Sequence, residues 1–433
     1  MLKIFNLQLD PVEKNAFRLH TIYSSIEGFI LGILALNEFV FIKSLHGSNY
    51  QLSFLFQFSV IVFIFLLFIN EYIKKIRDRR KLLLITGLIT RLPLALLLFF
   101  PRTVEGINGN SNYHYLFLGI FLVYYFGNPV IYPNINLLLK TNYGHKNFGA
   151  LYSYATSINK GMMLIVTFLY GLLLDADNYA FVYVFPIVAL AGVSSVYILT
   201  KIPYLENYEK TPSKPIFLVV GNSVRNMIQV LKSNVPYRHF ETGFMFYGFG
   251  FMISYPIIYI YFYEALALNY TSVAFYRNSY NILAILILPF FGKLMGKIDP
   301  RKFAMITYSS LALFLFFLVI TSYLPFYSEL FNIKLYYTLI FYVIFQGFFA
   351  ATMVLLWNIG SAYFCKPAEA AAYQSIHLFL VGIRGLVAPL IGIFFYELLG
   401  FNFTFGLAII FPLIGIYIMI WSYRKEKQIT SDD

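Results

Sequence analysis

Lys74-Lys75-Ile76-Arg77-Asp78-Arg79-Arg80-Lys81 and Met295-Gly296-Lys297-Ile298-Asp299-Pro300-Arg301-Lys302 decide the fold, because each is a short basic loop between two long apolar runs and Asp78, Arg80 and Lys81 fall on Asp299, Arg301 and Lys302 at a shift of 221 residues. Runs near the ~20 residues that span ~30 Å of hydrocarbon as a helix recur on both sides of each loop. They predict helices over 19–44, 50–73, 82–101, 114–138, 148–173, 179–201, 240–263, 271–296, 303–324, 335–362, 370–396 and 402–423. The pattern is six, a gap and six. With 59% hydrophobic and 12% charged residues and a mean hydropathy of +0.70, the chain has too little polar surface to fold in water. The expected class is an all-α integral membrane protein of twelve transmembrane helices in two pseudo-symmetric six-helix bundles, 1–201 and 238–433. The gap, 202–237, carries Pro203, Pro212, Pro215, Pro236 and several charges, and reads as a cytoplasmic linker with an interfacial helix.

Orientation follows from the basic residues, which remain on the cytoplasmic side of a membrane. The loop set that contains the amino terminus, both quoted stretches, the linker and Arg424-Lys425 holds 25 of the 32 Lys and Arg residues, whereas the opposite set holds Lys43, Arg102 and Lys334. Both termini are therefore expected in the cytoplasm of a bacterial-type inner membrane. The segment Met1 to Arg18, with Asp10 and Glu13, lacks a signal-peptide pattern. A net charge of +12 is accounted for by topology, so the expected partners are the lipid bilayer and a small-molecule substrate, not nucleic acid. A monomer is expected. The single cysteine, Cys365, excludes an intrachain disulfide and a paired metal site.

The shift of 221 is part of a longer duplication. Arg18 and Gly28 match Arg238 and Gly248 at 220, Ser48 to Lys81 matches Asn269 to Lys302 at 221, and Asn134-Ile135 and Lys160-Gly161 match Asn358-Ile359 and Arg384-Gly385 at 224. Four residues of drift over the whole length place like residues on the same helix of each half.

With Gly292 at its head, the stretch Gly292-Lys293-Leu294-Met295-Gly296-Lys297-Ile298-Asp299-Pro300-Arg301-Lys302 resembles the Gly-x-x-x-Asp-x-x-Gly-Arg-Arg loop of the major facilitator superfamily of secondary transporters. The first-half copy, from Asn70, keeps the basic cluster and lacks the glycine. The segments Tyr143 to Gly149 and Gly382 to Pro389 are also similar to family segments. The fifth helix, at Asn159-Lys160-Gly161-Met162-Met163-Leu164, lacks the Gly-Pro pattern of drug and proton antiporters. The resemblance implies the twelve-helix fold of that superfamily, alternating access about a central cavity, and gating contacts at Gly292, Asp299 and Arg301 and at Asp78 and Arg80.

Four cations fall inside predicted helices, where each needs a partner, water or a function. Lys160 lies about twelve residues into the fifth helix, ~18 Å deep, and Arg384 lies at the matching depth of the eleventh. They read either as a substrate-anion site or as internally paired charges. Glu27 is placed to neutralise Lys160, and Arg384 to pack against helix carbonyls near Gly385. Arg277 lies on a polar face with Tyr276, Asn278, Tyr280 and Asn281, which directs Arg277 and Asn281 to the cavity or leaves Arg277 snorkelling at the outer end. Arg91 reads as structural. Tyr132, Asn134, Trp357 and Asn358 on the fourth and tenth helices are candidates for contact with a polar solute or for helix–helix hydrogen bonds. For proton coupling Glu27 ranks first, ahead of Glu38, Glu241 and His377.

No Walker loop, dinucleotide glycine fingerprint, Cys/His metal spacing or Gly-x-Ser-x-Gly elbow occurs, so neither an enzyme nor a cofactor is expected. The expected function is secondary transport of a small organic solute, leaning anionic, with coupling to protons as an open option. The alternative is a non-transporting membrane sensor or assembly factor on the same fold.

Overall fold

The computed structural model describes residues 9–62, 64–65, 78–110, 112–144, 147–203, 216–366 and 369–432. The far end of the predicted helix 50–73, the Lys74 to Arg77 part of the first basic loop, His145-Lys146 and linker residues 204–215 lie outside the described residues. Helices dominate: α1 (Pro11–Leu34), α2 (Asn37–Lys43), α3 (Asn49–Ile61), α4 (Arg79–Arg91) running on as a 3-10 helix (Leu92–Phe99), α5 (Val104–Asn108), α6 (Asn112–Phe126), α7 (Asn128–Asn142), α8 (Phe148–Ala176) and α9 (Phe181–Thr200). Then follow α10 (Ile216–Ser233), α11 (Val235–Ile260), α12 (Tyr270–Met295), α13 (Pro300–Tyr323), α14 (Tyr337–Ile359) and α15 (Ala370–Asp432).

Among the described residues ten stretches are long and apolar enough to cross a membrane. The last of them, Tyr373–Glu426, holds two helices, because Gly400 at φ 76° breaks α15 into 370–399 and 401–432. With α3 as the described start of a further span, the observed helices agree with the twelve expected. Side chains such as Leu190, Leu286, Phe290 and Tyr417 stand about two-thirds exposed, as a lipid-facing surface requires. Helix α10 lies in the expected linker. A hairpin that the sequence reading treated as loop joins α13 to α14: Tyr327–Leu330 pairs antiparallel with Ile333–Tyr336 through Phe331 and Asn332, both at positive φ, the backbone twist that two-residue hairpin turns need.

The duplicated residues turn out to be helix punctuation. Ser48 and Asn269, one shift apart, are the N-caps of α3 and α12, and Asp78 and Asp299 are the N-caps of α4 and α13. Each side chain accepts a hydrogen bond from an otherwise orphaned backbone N–H, such as Lys81 N to Asp78 at 2.9 Å and Ser272 N to Asn269 at 2.9 Å.

Two compact units form, 1–47 with 65–216, and 48–64 with 217–433. The segment 48–64, assigned by the repeat to the first bundle, packs within the second unit. There Gln57 donates to Leu386 O at 3.1 Å and Phe56 stacks on Tyr255. In the first unit α1 packs on α8 and α9, around a core that includes Phe17, Leu83, Ile131, Leu139 and Leu199. In the second, α11 packs on α15, and α13 on both α14 and α15.

Candidate functional site

The close approach of the first and fifth helices of each unit depends on a glycine. A Cβ on Gly28 would lie 2.4 Å from Asn159 O and 2.9 Å from Met162 Cβ, so α8 turns its Asn159–Met162 face to α1. Lys160, about 100° further round, is carried to an exposed face of α8. A Cβ on Gly248 would lie 1.7 Å from Arg384 Nη1, so here the glycine admits a whole guanidinium. Arg384 is 2% exposed, and its Nη1 donates to Phe244 O at 2.7 Å. The matched cations thus diverge: one faces out from its unit and the other is sealed between α11 and α15. The carbonyl that receives Arg384 is on α11 and not near Gly385.

The acid of the first unit finds a different cation from the expected one. Glu27 Oε2 lies 3.7 Å from Arg91 Nη2, and Ser195 Oγ donates to Glu27 Oε1 at 2.7 Å. Arg91 sits in a notch left by Gly192, its Cζ 4.2 Å from the Tyr124 ring centroid, while its Nε and Nη1 have no hydrogen-bond partner. A triad drawn from α1, α4 and α9 therefore engages Glu27, the first-ranked proton carrier. Arg91 and Glu27 were each recognisable as buried charges, but only the rotation of α8 and α4 about α1 pairs them.

Arg277 has the pocket. It lines a small, mainly apolar recess with Tyr255, Tyr259, Tyr280, Tyr342 and Gln346, with room for about one water. Its Nη1 donates to Tyr259 Oη at 2.5 Å. Gln346 is 5% exposed and its Oε1 has no hydrogen-bond partner. Tyr276 leaves this face: its hydroxyl donates to Lys334 O and accepts from Tyr336 N, both at 2.8 Å, fixing the hairpin. Asn281 hydrogen-bonds back to Arg277 O at 2.8 Å. Tyr255, Tyr259 and Tyr342 went unnoticed in the sequence, because a tyrosine-rich chain gives single phenols no contrast.

The remaining candidates are dispersed. Tyr132 is exposed. Asn134 is buried and receives Arg79 Nη1 at 3.3 Å while donating to Val130 O, and exposed Asn358 donates to Val354 O. Trp357 is edge-on to the ring of His377, 5.7 Å between centroids at 90°. His377 is fully buried and its Nδ1 lies 3.0 and 3.1 Å from the two carboxylate oxygens of Glu241, itself 2% exposed.

Of the loop residues, Asp78 caps α4 and Arg80 is exposed. A Cβ on Gly292 would meet no atom within 4 Å. Arg301 is clamped by Asp299 at 2.8 Å and by Glu426 of α15 at 2.5 Å, with Nη1 3.3 Å from Ser422 O. Burial alone would push the Asp299 carboxyl up, but the hydrogen bonds from the side chain and backbone of Arg301 hold it below its ordinary value.

A family profile described as Major Facilitator Superfamily matches residues 22–328. No curated protein matches the chain by sequence. Among solved structures the chain is similar to the nucleoside transporter NupG (TM-score 0.67, 11% identity, covering 95% of this chain and 100% of that one). It is similar also to the peptide transporter POT in complex with sulfate (0.63, 14%, 95% and 95%). A third similar structure is the xylose transporter XylE from E. coli in a partially occluded inward-open conformation (0.61, 11%, 96% and 98%). Identities this low speak to the fold alone.

Proposed function

The chain belongs to the major facilitator superfamily, and from that membership we propose that it is a secondary transporter carrying a small organic solute, anionic by preference, by alternating access coupled to protons. That it is a multi-pass membrane transporter and not an enzyme follows from the family itself. The bundle boundaries, the inner-membrane location, the cytoplasmic termini and the gating role of the basic loops belong to the proposal. What supports an anionic solute is the Arg277 guanidinium set among the phenols of Tyr255, Tyr259, Tyr280 and Tyr342. A guanidinium offers a fork of donors to a carboxylate or phosphate, and the recess, which here has room for about one water, would widen during alternating access for the rings to pack the apolar part of the solute. Lys160 and Arg384 support the reading less, since one faces outward from its unit and the other is enclosed.

The test is uptake into proteoliposomes of a panel comprising nucleosides, dipeptides, xylose and small carboxylates. An anionic member carried by the protein is expected to lose about tenfold or more in affinity in Arg277→Ala, the worth of one charge-assisted hydrogen bond, and its uncharged amide analogue to lose little. Equal handling of acid and amide by the parent would overturn the anionic preference. Flux of no solute, with a stable co-purifying partner, would favour the sensor or assembly role.

A further inference from the structure

We propose that the Glu241–His377 pair between α11 and α15 is the proton-binding site of this transporter. The proposal rests on the transport reading above and moves the titrating site away from Glu27, which Arg91 and Ser195 already hold.

Two oxygens of one carboxylate converge on one imidazole nitrogen, both side chains are at least 97% buried, and the second ring nitrogen, Nε2, is buried without a hydrogen-bond partner. A structural histidine normally satisfies both nitrogens. One left open at Nε2 can take up a proton there while Nδ1–H stays on Glu241.

The neighbours set the charge balance. Facing the pair are Tyr237 and Tyr247 from α11, Tyr308 from α13, and Tyr373 and Arg384 from α15, with Trp357 of α14 covering the ring. The phenols are neutral in the range where an imidazole titrates, so Arg384 is the one further charge facing the pair among the described residues. Phe244 links the two ends. Its ring lies 4.3 Å from that of His377 and 5.5 Å from Arg384 Cζ, and its carbonyl binds the guanidinium. Residues 241, 244 and 248 on α11, and 377 and 384 on α15, are spaced by whole turns, so carboxylate, imidazole, ring and guanidinium form one seam.

With neutral imidazole the seam is balanced, Glu241 against Arg384. Adding a proton at Nε2 leaves one net positive charge in a buried place where an unpaired charge is costly. Proton uptake is therefore favoured when the seam opens to water or meets an anionic solute, and disfavoured when it closes empty. That difference is what couples a proton to a moving solute.

The molecule carries its own reporter, because an imidazolium quenches a neighbouring indole far more than a neutral imidazole does. Trp421, 4.6 Å from His239, would confuse the signal, so the background is Trp421→Phe in the full purified chain. Titrated from pH 8 to 5, the Trp357 fluorescence is expected to fall in one step. The step is lost in His377→Asn, whose amide nitrogen replaces Nδ1 against Glu241. In Glu241→Gln, which removes the anion and keeps the shape, the step moves at least about one pH unit toward acid. A step unchanged in either variant, or absent from the parent, overturns the site. In proteoliposomes containing a pH dye, nucleoside, dipeptide, xylose and small-carboxylate probes separate this from transport itself. A probe moved with the same internal acidification by parent and both variants overturns the coupling role and leaves the transporter reading standing. Absence of flux for every probe sinks the transporter reading, and the fluorescence titration then decides proton binding by itself.

Discussion

Gly248→Ala tests the packing of α11 against α15 at its tightest point. The added Cβ would lie 1.7 Å from Nη1, 2.0 Å from Cζ and 2.4 Å from Nη2 of Arg384, well inside van der Waals contact, so the guanidinium must leave. It then gives up its 2.7 Å hydrogen bond to Phe244 O, with Nε already unpartnered, and moves off the Phe244 and Tyr247 rings, 5.5 and 5.9 Å from its Cζ. A lost charge-assisted hydrogen bond costs about 1.5–3 kcal/mol and overpacking a further ~1–3 kcal/mol. The sum, about 2.5–6 kcal/mol, corresponds to a fall of roughly 5–20 °C in the thermal midpoint of a unit of this size. The assay is the midpoint of the detergent-purified chain, with Gly292→Ala and Gly161→Ala as controls. A Cβ at either of those positions meets nothing within 4 Å. Both controls are expected to be neutral or slightly stabilising, since alanine outranks glycine in a helix by up to ~1 kcal/mol. Gly248→Ala combined with Arg384→Met should recover most of the loss, because the flexible thioether can yield to the methyl group. A Gly248→Ala midpoint equal to that of the controls, or a double variant no better than the single, would refute the seating of Arg384 in the glycine notch.

Two further expectations concern ion pairs. Arg91→Met strands Glu27 as a buried carboxylate and should destabilise the first unit by about 3–5 kcal/mol, whereas Arg91→Met with Glu27→Gln should cost much less; thermal midpoints of the three variants check this, and additive losses would dissolve the pair. Asp299 is held below its ordinary value, so its contribution is complete above the unfolded carboxylate value of 3.8 and fades as pH falls through the lower folded value. The midpoint difference between parent and Asp299→Asn should be constant from pH 6 to 5 and shrink below about 3.8, and a difference that grows on acidification would reverse the assignment.

The sequence carried the features that depend on one-dimensional spacing. Apolar runs fixed where helices lie, since the length needed to cross hydrocarbon leaves little freedom. The caps Ser48, Asp78, Asn269 and Asp299 made the duplication visible because a cap must stand at a set position before its helix. The resemblance in the Gly292 to Lys302 loop pointed to the superfamily that the family profile over residues 22–328 then established. Even the breaks follow from sequence chemistry, as with Gly400, whose left-handed backbone only glycine adopts freely.

What the spacing could not tell is which way each helix is turned. Depth placed Glu27 opposite Lys160 and left Arg91 as a structural residue, and a rotation of about 100° per residue decides which cation the acid meets. Gly28 brings Asn159 and Met162 against α1 and so sends Lys160 outward, leaving Glu27 to Arg91. Arg384 and Lys160 are equivalent in the repeat and opposite in fate for the same reason. Glu241 and His377, 136 residues apart, were two isolated candidates in the sequence. They became a pair only where α11 and α15 pack, because the contact of two titratable groups is a property of the helix interface and not of either strip of sequence.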